Sequence, residues 1–317
     1  MDLFPAAGNG CSQVNVGFKS STAAPIPRRP GEICGHTFVI ACLPVGVYST
    51  SSAPSVAKDM LSTYKTMRFG LMVSISGRVP SQENDIRLGN VVVSKPVGPS
   101  GGVVQYDYGK TMAGGKFGQT GTSNKPPAVV LTVLCNVQSE EMLGRSRLNS
   151  YLSAVIAEYP PLSRFTYPGE DQGLLFKADY THDISTLSCG LCDMNMTIQR
   201  TKRPTTEPNV FYDLIASANQ VMKDAITRDR IARQHGVLCF EMEAARLWIN
   251  TYPRHLRLFR FTQNEAKARV CGSNSRGICK ESVAHDIWRI YSPPCRCQDT
   301  ASGPSHLYRA GPFAYYR

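Results

Sequence analysis

No stretch of this sequence is long and apolar enough to cross a bilayer. Its longest apolar runs, such as VVLTVLC, reach about seven residues, against the roughly 20 that a spanning helix needs. The opening MDLFPAAGNGCSQ has neither a basic start nor an apolar block, so no secretory leader is read there. A regular, even set of cysteines is also lacking. Eleven of them fall at irregular intervals, which argues against a disulfide framework and for reduced thiols in an intracellular, cytoplasmic protein. Long Lys/Arg blocks and aromatic-studded basic strands are missing too. The net charge of +11 is scattered, which reads as a solvated basic surface, with an anionic partner such as phosphate as the alternative. Neither nucleic acid nor membrane is expected as a partner.

Chemistry-bearing motifs are equally sparse. The glycine-rich GGVVQYDYGKTMAGGKFG carries no Walker Lys-Ser/Thr pair, and no Ser/His/Asp or Cys/His set has a recognisable context. Cys189-Gly190-Leu191-Cys192 is a single Cys-X-X-Cys. With only His182 and Cys295-Arg296-Cys297 on offer as further ligands, at irregular spacing, no metal site is expected. No internal repeat is present.

What remains is a chain of 317 residues with 42% hydrophobic and 19% charged content, sufficient for a large α/β domain. Residues 1–31 are rich in Gly, Ser and Pro without periodicity and read as a disordered or loop segment. Strand-length apolar runs follow at residues 38–43, 69–75 and 90–95, order returns at residues 213–217, and a further apolar run is Val237-Leu238-Cys239-Phe240. Helical spacing appears in SSAPSVAKDMLSTY, at residues 126–142 and at residues 227–234. Short strands alternating with helices predict a layered α/β domain over residues 32–253. Residues 254–317 sustain no period and read as a divergent C-terminal tail.

The stretch GVLCFEMEAARLWIN is the most informative. A buried strand meets Glu241 and Glu243, which bracket Met242, and the helix-forming run Ala244-Ala245-Arg246-Leu247-Trp248 follows. Two carboxylates there have a structural use, complementing the positive end of a helix. They have a functional use as well, since strand ends in α/β sheets are where ligand sites form.

Four blocks, FGLMVSISGRVPSQENDIRLGNVVVSKP, GGVVQYDYGK, IASANQVMKD and GVLCFEMEAA, together resemble the nucleoside phosphorylase/nucleosidase superfamily, which includes purine and uridine phosphorylases. Within it the likeness is to the fungal branch that carries the FEMEAA motif. The resemblance implies a three-layer α/β/α sandwich with a mixed, partly closed sheet. It also implies cleavage of the N-glycosidic bond of a purine nucleoside by phosphate or water, without metal or cofactor, with phosphate as an allowed co-substrate. The transition state resembles an oxocarbenium ion, so such a site needs negative charge and hydrogen-bond acceptors around the ribose. By resemblance, Glu243 accepts from ribose hydroxyls, Met242 packs against the sugar, Glu241 is the adjacent acidic position, and Ser76 and Gly77 approach the sugar or phosphate. Asn219 and Gln220 are candidates for contacts to the base, with a purely structural turn as the open alternative. Family members often form oligomers, so a homo-oligomer is allowed.

The sequence also departs from the family. Relatives read close to GIGGGVP where this chain has Ser74-Ile75-Ser76-Gly77-Arg78-Val79-Pro80, and an arginine forced into a left-handed backbone there would be strained. Ala218 and Arg246 replace further glycines. The family's general-acid aspartate is missing: Arg276-Gly277-Ile278-Cys279 is followed by Lys280, and Glu265 after LRLFRFTQN is a poor substitute. No first strand is evident before residue 32. The expectation is a copy truncated or divergent at both ends, with a catalytically inactive nucleoside-sensing or interaction module as the alternative to an enzyme.

Overall fold

In a computed structural model, the described residues are 14–16, 28–33, 36–43, 52–247 (without 116, 122–123, 168, 170–172 and 182–191), 258–264 and 313–316. They form an α/β fold around one mixed sheet. Its strands are β1 (Val14–Val16), β2 (Arg28–Ile33), β3 (His36–Ala41), β4 (Phe69–Arg78), β5 (Val91–Ser94), β6 (Val103–Gln105), β9 (Val210–Ser217), β10 (Val237–Glu241), β11 (Leu258–Asn264) and β12 (Phe313–Tyr316). A small hairpin, β7 (Gly109–Thr111) with β8 (Phe117–Gln119), stands apart. The helices are α1 (Ser52–Thr63), α2 (Ala128–Met142), α3 (Leu148–Glu158) and α4 (Ala225–His235).

The strand order is β1-β2-β3-β12-β4-β10-β9-β5-β11, with β6 also on β9. Because β11 pairs with both β5 and β4, the run β4-β10-β9-β5-β11 returns on itself and the sheet is partly closed. Pairing is parallel for β10–β9, β5–β9, β6–β9 and β11–β4, and antiparallel elsewhere in this sheet.

Alternation along the strands assigns the two faces. Val92 of β5, Ile215 of β9 and Met72 of β4 pack with Ala53, Val56, Ala57 and Met60 of α1. Val91 and Val93 point the other way, onto Val130 and Leu134 of α2. Leu214 and Ala216 likewise meet Ile231 and Ala232 of α4. One helix therefore covers one face and two cover the other, the sandwich that the family resemblance implies. Burying a large aliphatic side chain contributes about 1.5–3 kcal/mol, so these two faces carry most of the folding drive.

The α4–β10 connection is set locally. Asp224 accepts from the backbone N–H of Thr227 at 2.8 Å and caps α4. Gly236 ends the helix with φ 67°, a left-handed conformation that glycine takes at little cost. All five residues of β10 are buried. A register shift between Val237 and Cys239 leaves Leu238 and Cys239 in the α1-side cluster and returns Phe240 to the α4 side.

Two outcomes differ from the sequence pattern. Strands β1 and β2 arise in the segment read as loop, and β11 and β12 arise beyond residue 253. Each is defined by pairing to a neighbour, β2 to β3 and β11 and β12 to β4, and such pairing leaves no period in the strand's own sequence. The helix expected after Glu243 is one 3-10 turn, Ala245–Leu247, among the described residues.

Candidate functional site

The four blocks quoted above converge on neighbouring strands. The first spans β4 and β5, the second lies on β6 and its following loop, the third on the end of β9, and the last on β10. In the sheet, β4 borders β10, β10 borders β9, and β9 carries β6. Since β6, β9 and β10 are mutually parallel through β9, their C-terminal ends share one edge.

At that edge the chain turns sharply after Glu241. Glu241 is only 4% exposed, and its carboxylate accepts the backbone N–H of Glu243 at 2.9 Å and that of Ala244 at 2.9 Å. Its backbone carbonyl accepts from Ala218 N–H at 3.3 Å. The hydroxyl oxygen of Ser217, last residue of β9, accepts the N–H of Ala245 at 2.9 Å. Glu241 and Ser217 thus satisfy the amides that a short helical turn leaves open at its start.

The turn presents Glu243, whose side chain is also 4% exposed. Its Oε2 accepts from the backbone N–H of Met242 at 3.2 Å and lies 3.5 Å from the hydroxyl of Ser74, a long contact. Met242 itself is half-buried. Ser74 and Ser76 are both buried on β4. Gly77 is exposed and pairs with Phe240 in the antiparallel register. Both carboxylates of the turn are thus removed from water.

The backbone of the Ser76-Gly77-Arg78 segment is extended β4 strand, not a left-handed turn. Arg78 pairs with Cys239, so it carries no left-handed strain there. Gly77 has no positive φ, and a Cβ added there would meet the carbonyl of Phe240 only at 4.0 Å. Arg78 does bear an electrostatic cost. Burial, then the neighbouring charges of Arg200 and Arg228, lower its guanidinium from its ordinary value to about 10.

Asn219 is exposed, and its backbone N–H donates to Asp107 Oδ2 at 3.0 Å. Gln220, not Asn219, lines a cavity of about 570 Å³ on the α4 side, together with Tyr106, Asp107, Phe117, Ile231 and His235. Tyr106 meets Phe240 edge-on at 5.4 Å between ring centroids. Its hydroxyl is buried without a hydrogen bond; Gln220 lies near but not in bonding geometry. Burial first, then the charges of Asp107 and Glu241, raises the Tyr106 hydroxyl above its usual range. Burial pulls His235 below its ordinary value.

Ser217 and Asp107 take part in this arrangement without having been singled out in the sequence, and Ser74 was named there only as a departure from the family's glycines. Ser74 and Ser217 sit inside quoted blocks, and the apolar residues around them are the only signal that they are buried. Residues 276–280, Glu265, Cys189, His182, Cys295 and Cys297 lie outside the described residues. Among the described residues, no group of three or more His, Cys, Asp or Glu could hold a metal ion, and no helix is long and apolar enough to cross a membrane.

Comparison with known proteins gives the following. No protein-family model matches the chain. A nucleotide-binding leucine-rich repeat (NLR)-like protein of Hyaloscypha variabilis is 39% identical over 217 residues, 68% of this chain and 21% of that protein. The chain thus spans about a fifth of the length of the curated relative it matches. Among solved structures, a putative 5'-methylthioadenosine/S-adenosylhomocysteine nucleosidase of Borrelia burgdorferi bound to adenine is similar over 79% of this chain and 76% of that one, with 13% identity and a TM-score of 0.45. An S-adenosylhomocysteine nucleosidase of Streptococcus pyogenes covers 89% and 84%, with 11% identity and a TM-score of 0.44. The futalosine hydrolase of Helicobacter pylori covers 80% and 78%, with 10% identity and a TM-score of 0.43. At such identities and scores these are likenesses of form and say nothing of activity.

Proposed function

We propose that the chain binds a purine nucleoside at the turn after β10 and cleaves its N-glycosidic bond. The observation that carries this is the Glu243 carboxylate, buried at a strand end and held by the Met242 amide beside Ser74. The convergence of the four family-like blocks on adjoining strands supports it.

In this reading Glu243 accepts hydrogen bonds from ribose hydroxyls and faces the positive charge that develops on the sugar as the bond to the base breaks. A carboxylate shielded from water does this far better than an exposed one. Met242 packs against the sugar. Glu241 is a positioning residue: its oxygens hold the turn amides and so fix where Glu243 points. Ser76 and Gly77 border the sugar from β4, and Asn219 with Gln220 faces the base. Neither metal nor redox cofactor is needed for this chemistry, and either water or phosphate can serve as the acceptor.

The test is incubation with adenosine, inosine and guanosine, with and without phosphate, followed by chromatography for free base. Base release supports the enzyme. Ligand-dependent thermal stabilisation without release supports a nucleoside-sensing module built on the same residues. The absence of both release and stabilisation sinks the proposal.

A further inference from the structure

Arg78 is the least satisfied charged group among the described residues. Its Nη1 is buried and has no hydrogen-bond acceptor. A guanidinium is always protonated near neutrality, so an orphaned buried N–H here is a cost the fold carries. Its surroundings deepen the cost. Arg200 and Arg228 lie close enough to depress its proton affinity, Asp85 opposes them, and Arg87 adds to them.

The acids nearby are already committed. Asp85 receives Arg87 Nε at 2.7 Å and Arg200 Nη1 at 3.2 Å, and its backbone carbonyl accepts from Arg203 Nη2 at 2.6 Å. Asp229 receives Arg228 Nε at 2.7 Å. Asp85 therefore carries three guanidiniums and Asp229 one, and neither pairs with Arg78. Such an excess suits a multiply charged anion better than a single carboxylate.

We infer that Arg78, with Arg200 and Arg228 beside it, forms a binding site for a phosphoryl group. Arg78 stands four residues along β4 from Ser74, roughly 13 Å at the usual strand rise. Its neighbour across the sheet is Cys239, in the middle of β10, whereas Glu243 follows the end of that strand. The site is thus separate from the turn that presents Glu243. A free phosphate occupies it alone, while a phosphorylated nucleoside reaches from it toward that turn. The inference stands without the nucleoside reading.

Calorimetric titration of the full 317-residue chain with inorganic phosphate, adenosine 5′-monophosphate and adenosine, in wild type, Arg78→Gln and Arg78→Lys, tests it. Loss of a charge-assisted contact predicts phosphate and monophosphate binding weakened roughly tenfold or more in Arg78→Gln, less in Arg78→Lys. Adenosine binding is expected to be unchanged by either substitution, which separates this site from the Glu243 site. Melting of the unliganded variants checks folding: removing an orphaned charge is expected to keep or raise the melting temperature. Binding of monophosphate without free phosphate assigns the phosphoryl group to a nucleotide; binding of both shows that the free anion suffices. Equal affinity in wild type and Arg78→Gln, or no binding of either anion to wild type, overturns the inference.

Discussion

The carboxylate of Glu241 receives the backbone N–H of Glu243 at 2.9 Å, so the first acid of the pair builds the turn that presents the second. The two glutamates are divided in role. One is used up by amides, and the other is held at its Oε2 by the Met242 amide beside Ser74.

Glu241→Ala leaves the amides of Glu243 and Ala244 without their carboxylate. The expected loss is about 1–3 kcal/mol, with nucleoside binding lost as well. Glu241→Gln keeps one carbonyl acceptor and is expected to lose less. Urea denaturation monitored by fluorescence measures both, and equal stability of wild type and the alanine variant contradicts the assignment.

Ser217→Ala removes the acceptor of the Ala245 N–H. A loss of about 1 kcal/mol is expected, from one neutral hydrogen bond. The midpoint of the same denaturation reports it; no shift argues that the turn is held otherwise.

Tyr106→Phe deletes a buried hydroxyl that makes no hydrogen bond, while the ring contact to Phe240 stays. Stability is expected to hold or rise by up to about 1 kcal/mol. A clear drop in melting temperature contradicts this and assigns the hydroxyl a partner.

The Asp85 cluster predicts a pH dependence. Burial pushes its carboxyl up, but the hydrogen bond from Arg87 and the charges of Arg87, Arg200 and Arg203 outweigh this and hold it below the usual range. A carboxyl lowered on folding stabilises fully above its unfolded value, about 3.9, and the contribution fades as pH falls through the folded value. Asp85→Asn is therefore less stable than wild type at pH 7, and the gap narrows below about pH 4. A gap that stays constant down to pH 3 contradicts the role.

The central part of this fold was legible where side chains alternate between two buried faces. Residues 237–240 read as a strand, and order was read at residues 213–217; Cys239 and Phe240, like Ile215 and Leu214, each meet a different apolar layer. Helix α4 was legible from its spacing over residues 227–234, and the caps Asp224 and Gly236 extend it to Ala225–His235. Helix α3 was missed because Asn149, Ser150 and Ser153 break its apolar pattern and no side chain caps it. Strand β2 was missed because RRPGEI offers little apolar signal; pairing with β3 makes it a strand. The site shows the same division. The motif located the paired acids, but which of them the backbone consumes depends on where the amides of Glu243 and Ala244 point. Arg78 read as a strained turn residue because the glycines of the family motif suggested a turn; the strand pairing with Cys239 changes that reading.

The central claim is that Glu243 serves the sugar. The most direct measurement is the rate of free-base release from a purine nucleoside by wild type and Glu243→Gln at equal folded concentration. The account predicts turnover in wild type and a fall of about 100-fold or more in the variant, the scale of losing one preorganised electrostatic group, with little change in melting temperature. Equal rates in the two proteins contradict it.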